Sequence, residues 1–282
     1  PNRVVLRDVY IEDDHNDTLI YAHSLEVLYS GFNSKTNTLK SSRVSLENGR
    51  LYMRKYAQDS LFNFAYFFKK LATGEPDTTT QEGESFKLKI ASIAISDFRY
   101  TKHRLGCTDT CTNIFLTKAQ VDIADFVLDG GYVTADVRHL SWRDSQRFNL
   151  YELRAKAAYQ AQSMSLHELY FKTDGSEVTG DAALTYDSEA DLGDFLELVT
   201  FKCKFEESVF SSDEFISYIP QFPQFDQFKI TGEFEGTVNH FDVVDCVIDL
   251  GEKTHFAGSI HIDEPTETTL LNMKADVKKV TT

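Results

Sequence analysis

The sequence predicts an all-β protein built mostly from antiparallel strands, and three observations predict it. Apolar and polar residues alternate along run after run, and turn residues break the runs at intervals of about 8–12 residues. Phe and Tyr, which favour half-buried pleated surfaces, number 22 and 13 against a single Trp. No βαβ spacing occurs, which argues against a parallel, doubly wound sheet.

Taken in order, Val4 to Ile11 reads as a strand, Glu12 to Asp17 as a polar turn, and Thr18 to Tyr29 as a second strand. Leu39 to Leu46 and Arg50 to Tyr56 read as a hairpin hinged at Asn48-Gly49, since an Asn-Gly pair between alternating runs is a strong hairpin signal. Near 59–71 the period changes: Leu61, Phe64, Phe68 and Leu71 fall at helical spacing, with Asp59 or Ser60 as cap and Lys69-Lys70 in the last turn. Such a helix either inserts its aromatics into lipid or covers apolar sheet, and amphipathicity favours the cover. The stretch near 73–85 is almost free of apolar residues and predicts a mobile loop.

Strands resume at Phe86, where Phe86, Leu88 and Ile90 alternate and Ile93, Ile95, Phe98 and Tyr100 follow with shifts of phase. Ile114 to Leu128 and Tyr132 to Leu140 form a predicted hairpin around Asp129-Gly130-Gly131. Phe148 to Ala157, Ser163 to Thr173 and Glu177 to Tyr186 continue the meander, with Asp174-Gly175 as a turn. Ser188-x-x-Asp191 fits a capping box ahead of a short helix ending at Leu198, and Asp213 to Ile219 fits one helical turn before Pro220. Phe201 to Phe210 and most of Phe225 to Val277 read as strand. Leu6 to Asp13, Leu88 to Asp97 and Val244 to Asp249 share a cadence of alternating apolars closed by an acid, a weak sign of hairpins added to one growing sheet.

The formal net charge of −15 repels a phosphate backbone, so nucleic acid is not an expected partner. It also opposes electrostatic docking on anionic headgroups, though not contact with lipid tails. No apolar run is long enough to span a bilayer and no secretory leader opens the chain. The abrupt start at Pro1 and end at Lys278 to Thr282 read as cuts from a longer polypeptide. Cys107 and Cys111 sit in a polar loop and suit either a local disulfide or two free thiols; Cys203 and Cys246 lie in apolar strands as small hydrophobes.

Chemistry-bearing motifs are sparse. Asp13-x-His15-x-Asp17 and Asp187-x-Glu189-x-Asp191 lack the glycine and the bidentate acid of a calcium loop and are read as turn and cap residues. The eight histidines show no metal spacing, and no nucleophile elbow, phosphate loop or zinc-protease motif occurs. The expectation is therefore no metal, no cofactor and no enzyme. A carboxylate pair of glycosidase type stands as the least favoured reading, because nothing singles out a pair.

Several phrases together resemble a known family. They are Leu6-Arg-Asp-Val-Tyr-Ile-Glu-Asp13 with Asp17-Thr-Leu-Ile-Tyr-Ala22, Leu46-Glu-Asn-Gly-Arg-Leu-Tyr52, Leu61-Phe-Asn-Phe64, and Ile95-Ser-Asp-Phe-Arg-Tyr100. Tyr186-Asp-Ser-Glu-Ala-Asp-Leu-Gly-Asp-Phe195 and Glu207-Ser-Val-Phe-Ser-Ser212 complete the series. Over nearly the whole chain the series resembles the TamB-like proteins of the AsmA-like superfamily, in the form typical of Bacteroidetes-type bacteria. Each phrase encodes mostly strand and turn; their order carries the likeness. The resemblance implies a long, curled, mostly antiparallel sheet forming an open apolar groove of β-taco type, with residues 1–282 as one segment of a repeating groove. It further implies a periplasmic location, a parent anchored in the inner membrane, and phospholipid carriage between the inner and outer membranes. A role in outer-membrane assembly through an Omp85-type barrel is also implied, although the chain lacks the anchor and the barrel-facing region.

Strand alternation is compatible with that picture: one face apolar and the other rich in Lys, Glu, Asp and Thr gives an oily inside and a wet outside. Exposing an acyl chain of roughly 16 carbons costs on the order of 12 kcal/mol at about 0.8 kcal/mol per CH₂, and an apolar trough removes most of that barrier without catalysis. The candidate lining residues are Leu88, Ile90, Ile93, Ile95, Val121, Ile123, Val244, Ile248, Phe256 and Ile260. The alternative is a structural or interaction module, an adhesin or assembly spacer, in which these residues fill a closed core.

Overall fold

The computed structural model describes residues 2–59, 61–64, 85–106, 113–145, 147–188, 191, 195–216, 227–250, 254–263 and 272–281. They form fourteen strands in one sheet whose order follows the chain from first to last and does not close into a barrel. The first seven strands are β1 (Asn2–Glu12), β2 (Thr18–Asn33), β3 (Thr38–Lys55), β4 (Lys87–Arg104), β5 (Ile114–Asp129), β6 (Tyr132–Asp144) and β7 (Leu150–Gln160). The rest are β8 (Ser163–Thr173), β9 (Glu177–Thr185), β10 (Thr200–Ser211), β11 (Gln227–Gly236), β12 (His240–Leu250), β13 (Thr254–Asp263) and β14 (Asn272–Thr281). Two short helices, α1 (Phe195–Leu198) and α2 (Ser212–Ile216), flank β10. The all-β, mostly antiparallel class expected from alternation is the class observed.

By its internal contacts the chain divides into two compact units, residues 1–130 with 139–149, and residues 131–138 with 150–282. In the first unit, β1–β2, β2–β3 and β4–β5 pair antiparallel, while β3–β4 pair parallel. The parallel pair has a topological consequence. Lys87 N–H donates to Asn37 O beside the start of β3, so residues 56–86 bring the chain back to the end at which β3 began. In the second unit, each neighbouring pair from β7–β8 to β13–β14 is antiparallel.

One expected hairpin is corrected. Asn48-Gly49 is not a turn but lies inside the unbroken strand β3, with Asn48 at φ +49°. A two-residue hairpin turn of this kind needs positive φ at both central residues, and here only the first has it. The glycine turn at Asp129-Gly130-Gly131 stands: Gly130 and Gly131 take φ +55° and +89° between β5 and β6. One arm of the capping box forms, with Ser188 N–H donating to Asp191 Oδ2 at 2.9 Å, while the Ser188 hydroxyl donates to Asp191 Oδ1. Helix α2 covers the helical turn expected at 213–219 as far as Ile216, and 217–219 lie outside the described residues. The helix expected near 59–71 falls, beyond Phe64, outside the described residues, as do the loop expected near 73–85 up to residue 84 and both Cys107 and Cys111.

Candidate functional site: an apolar sheet face

Register decides which side chains share a face, because directly paired residues project to the same side. In the second unit Phe205 of β10 pairs with Gly180 and Gly232, Phe234 of β11 with Cys203 and Val243, and Val243 with Ile260 of β13. A further row joins Ile230, Ile248 and Phe256 across β11, β12 and β13. Aromatic rings touch along this face: Phe205 meets Phe210 and Phe234 edge-on at 5.3 and 5.2 Å, and Phe210 stacks on Phe228 at 5.4 Å. Offset and edge geometries of this kind are the favoured ones for rings. The opposite rows are polar. Lys202 faces Glu235 at 3.0 Å, Lys172 faces Glu177 at 2.9 Å, and His255 and His261 face Asp249 and Asp242 at 2.6 and 2.7 Å. One face is apolar and the other is laced with cross-strand ion pairs.

The first unit repeats this order. One row runs Val4, Val27, Val44, Ile93 and Ile123 across β1 to β5, and the next runs Leu6, Leu25, Leu46, Ile95 and Val121. Four of the candidate lining residues therefore meet in two adjacent rows. Leu88 and Ile90 occupy separate rows, with Leu39 and Leu128 beside the former and Ser41 and Phe126 beside the latter. All six are half-buried. In the second unit Ile248 pairs with Phe256, and Ile260 pairs with Val243. Val244 departs from the expectation: it pairs with Glu233, is 45% exposed, and sits on the polar side, while Val243 takes the place on the apolar face.

The cause of that exchange is a feature that simple alternation misses. In β12 the order of burial is Val243 in, Val244 and Asp245 out, Cys246 in. Asp245 has φ +49°, and the register with β13 shifts between Val243 and Cys246. This is a β-bulge, one extra residue on one side of the strand. The same in–out–out–in order marks Leu166 to Leu169 with Glu168 at φ +53°, Ile95 to Phe98 with Asp97 at +49°, and Leu116 to Ala119 with Lys118 at +51°. Asn48 and Asp8 hold the matching places in β3 and β1. Asp and Asn tolerate positive φ better than other side chains do. An apolar residue followed by two polar ones, the second Asp or Asn, is a readable signal at Leu6-Arg-Asp8 and Ile95-Ser-Asp97, but in β12 the apolar Val244 hides it, and at Glu168 and Lys118 the left-handed residue is neither Asp nor Asn.

Electrostatics follow from these bulges. Glu168 binds Lys156, and Asp245 binds Lys278 at 2.8 Å. The hydrogen bond and attraction from Lys278 hold the Asp245 carboxyl below the ordinary range, and Asp245 in turn pushes the lysine up. The Asp242 hydrogen bond raises the His261 imidazole, whose other nitrogen lies 3.1 Å from Asp263 Oδ1. A shallow depression of about 620 Å³ lies on the polar side, lined by Arg138, Arg154, Lys156, Glu168, Asp181 and Glu206 among others. Two of its cations are paired with its carboxylates, Arg138 with Asp136 at 3.5 Å and Lys156 with Glu168. Cys203 and Cys246 are free thiols on the apolar side, and burial pushes both up.

A polar cluster fastens the β1–β2 turn in the first unit. Asp13, 7% exposed, accepts hydrogen bonds from Asn63 Nδ2 at 2.7 Å, Tyr56 Oη at 2.9 Å and the backbone N–H groups of His15 and Asp17. Burial raises its pKa, but these donors outweigh burial and leave it below the ordinary carboxylate range. Tyr56 Oη also lies 2.7 Å from Asp17 Oδ2, and burial together with the two carboxylates drives the phenol far above its usual value. The Asp13-x-His15-x-Asp17 stretch thus acts as a hydrogen-bonded turn, as read from its missing calcium ligands. Among the described residues no group of three or more His, Cys, Asp or Glu has metal-holding geometry, and no helix is long and apolar enough to cross a membrane.

Comparison with known proteins finds no matching family model, no matching curated protein and no matching solved structure.

Proposed function

We propose that the chain is a segment of a β-groove that shields phospholipid acyl chains during transfer between two membranes. The observation that carries the reading is the separation of faces: rows of Val, Leu and Ile five strands wide in the first unit, and a Phe-rich face in the second, each backed by ion pairs such as Arg3–Glu26 and Lys202–Glu235. Most side chains in the first unit's rows are half-buried and Val4 and Leu6 at the edge are exposed, so an apolar ligand laid on them removes further area from water at about 25 cal/mol per Å². Transfer by such a surface needs neither a catalytic residue nor a cofactor. The periplasmic location, the inner-membrane anchor of the parent and a link to an Omp85-type barrel rest on the family resemblance, and crosslinking of the full-length parent in cells tests them. The direct test of the segment is organic extraction of the purified chain followed by mass spectrometry. Stoichiometric phospholipid is expected; repeatedly empty protein from lipid-rich lysates contradicts the reading and favours the interaction module.

A further inference from the structure

We propose that the second unit carries a crease, a single transverse line along which the sheet bends toward its apolar face. Register shifts between Arg154 and Lys156 in β7, Leu166 and Leu169 in β8, and Phe205 and Ser208 in β10. It shifts again between Thr231 and Glu233 in β11, Val243 and Cys246 in β12, and Ala257 and Gly258 in β13. These positions are neighbours: Leu169 pairs with Gly180, Gly180 with Phe205, Phe205 with Gly232, and Gly258 with both Cys246 and Val277. An isolated bulge bends one strand; aligned in every pair, bulges bend the sheet.

The direction of the bend follows from where the extra residues sit. His167-Glu168, Glu206-Glu207 and Val244-Asp245 are exposed pairs on the polar side, each between inward-facing neighbours. The polar side of these strands is one residue longer at the line, so the strands curve toward the other side. The intervening strands carry glycine there for a matching reason. A Cβ on Gly180 would fall 1.8 Å from Lys204 O, one on Gly232 2.9 Å from Cys246 Cα, and one on Gly258 2.1 Å from Asp276 O. Gly180 and Gly232 also take φ +150°, where side chains are strained. In a flat sheet, strands about 4.8 Å apart leave room for every Cβ. For what the crease serves, the inference rests on the proposed function: it is the floor line that turns an apolar face into a trough.

The test needs no lipid, so its failure and the failure of the lipid reading are separate events. Valine is preferred over glycine in an ordinary strand, so the sign of the effect discriminates. With a crease, Gly180→Val and Gly232→Val each lower the thermal midpoint by about 5 °C or more, while Thr231→Val, one residue away, leaves it within about 2 °C. A Tm that holds or rises in the two glycine variants overturns the crease. Should neither variant fold, Asp245→Gly decides: a left-handed residue accepts glycine, so Tm holds or rises. A fall of several degrees in that variant means an extended residue and no bulge, and the proposal fails.

Discussion

At Gly130-Gly131 two successive residues take positive φ, +55° and +89°, and the chain reverses from β5 into β6. At Asn48-Gly49 only Asn48 does, at +49°, and β3 runs on for the rest of its length. Both pairs carry turn chemistry, and the flanks decide between the outcomes. Gly49 faces the apolar rows, where an added Cβ would lie 2.4 Å from Leu46 Cδ2 and 2.6 Å from Phe98 Cδ2. One left-handed residue slips the alternation while β3 stays in register with β2 and β4; two in succession turn the chain around.

The comparison breaks most visibly at Gly49. Gly49→Val overpacks the Leu46–Phe98 contact and is expected to cost about 2–3 kcal/mol in urea denaturation. A neutral result would mean that this position is open and that Gly49 serves a turn after all. Gly131→Val attacks the reversal instead, placing a β-branched residue at strongly positive φ, and should cost about 1–2 kcal/mol in urea denaturation.

The β1–β2 reversal sharpens the rule, since a single left-handed residue, Asn16 at φ +60°, suffices where the Asp13 carboxylate brackets the turn. Tyr56→Phe removes one of its buried donors and should cost about 1 kcal/mol at neutral pH. The pH dependence has a definite sign. Asp13 has a folded-state pKa below its unfolded value, so its contribution is fully present above the unfolded value of about 3.9 and is lost as pH falls through the lower folded value. Denaturation of wild type and Tyr56→Phe should therefore differ most near neutrality and converge in strong acid; a constant gap down to pH 2 would contradict the assignment. At the small end, Asn48→Gly keeps the left-handed residue and should change stability by less than about 0.5 kcal/mol. Lys278→Ala breaks a fully exposed ion pair and should leave the urea midpoint unchanged.

Strand existence was legible because period-2 alternation holds on either side of each slip, in Thr18 to Tyr29 as in Ser163 to Thr173, the latter matching β8 at both ends. What alternation could not show is where the period slips. The phase shifts noticed from Ile90 to Tyr100 are partly the bulge at Asp97, and the same slip in β12 moved Val244 off the apolar face while Ile248, Phe256 and Ile260 kept their rows. The parallel pairing of β3 with β4 was illegible for a different reason. It depends on the path of a connection longer than 30 residues that contains no strand signal, and local pattern says nothing about the direction in which such a segment returns.

If, as proposed, the apolar side of the strands accepts acyl chains and the polar side does not, a conjugated fatty acid whose fluorescence rises in apolar surroundings will report it. Saturable binding to the wild-type chain, displaced by phospholipid, lost in Phe234→Glu and unchanged in Lys229→Glu, is the predicted result. No saturable binding, or equal loss from substitutions on both faces, would contradict it.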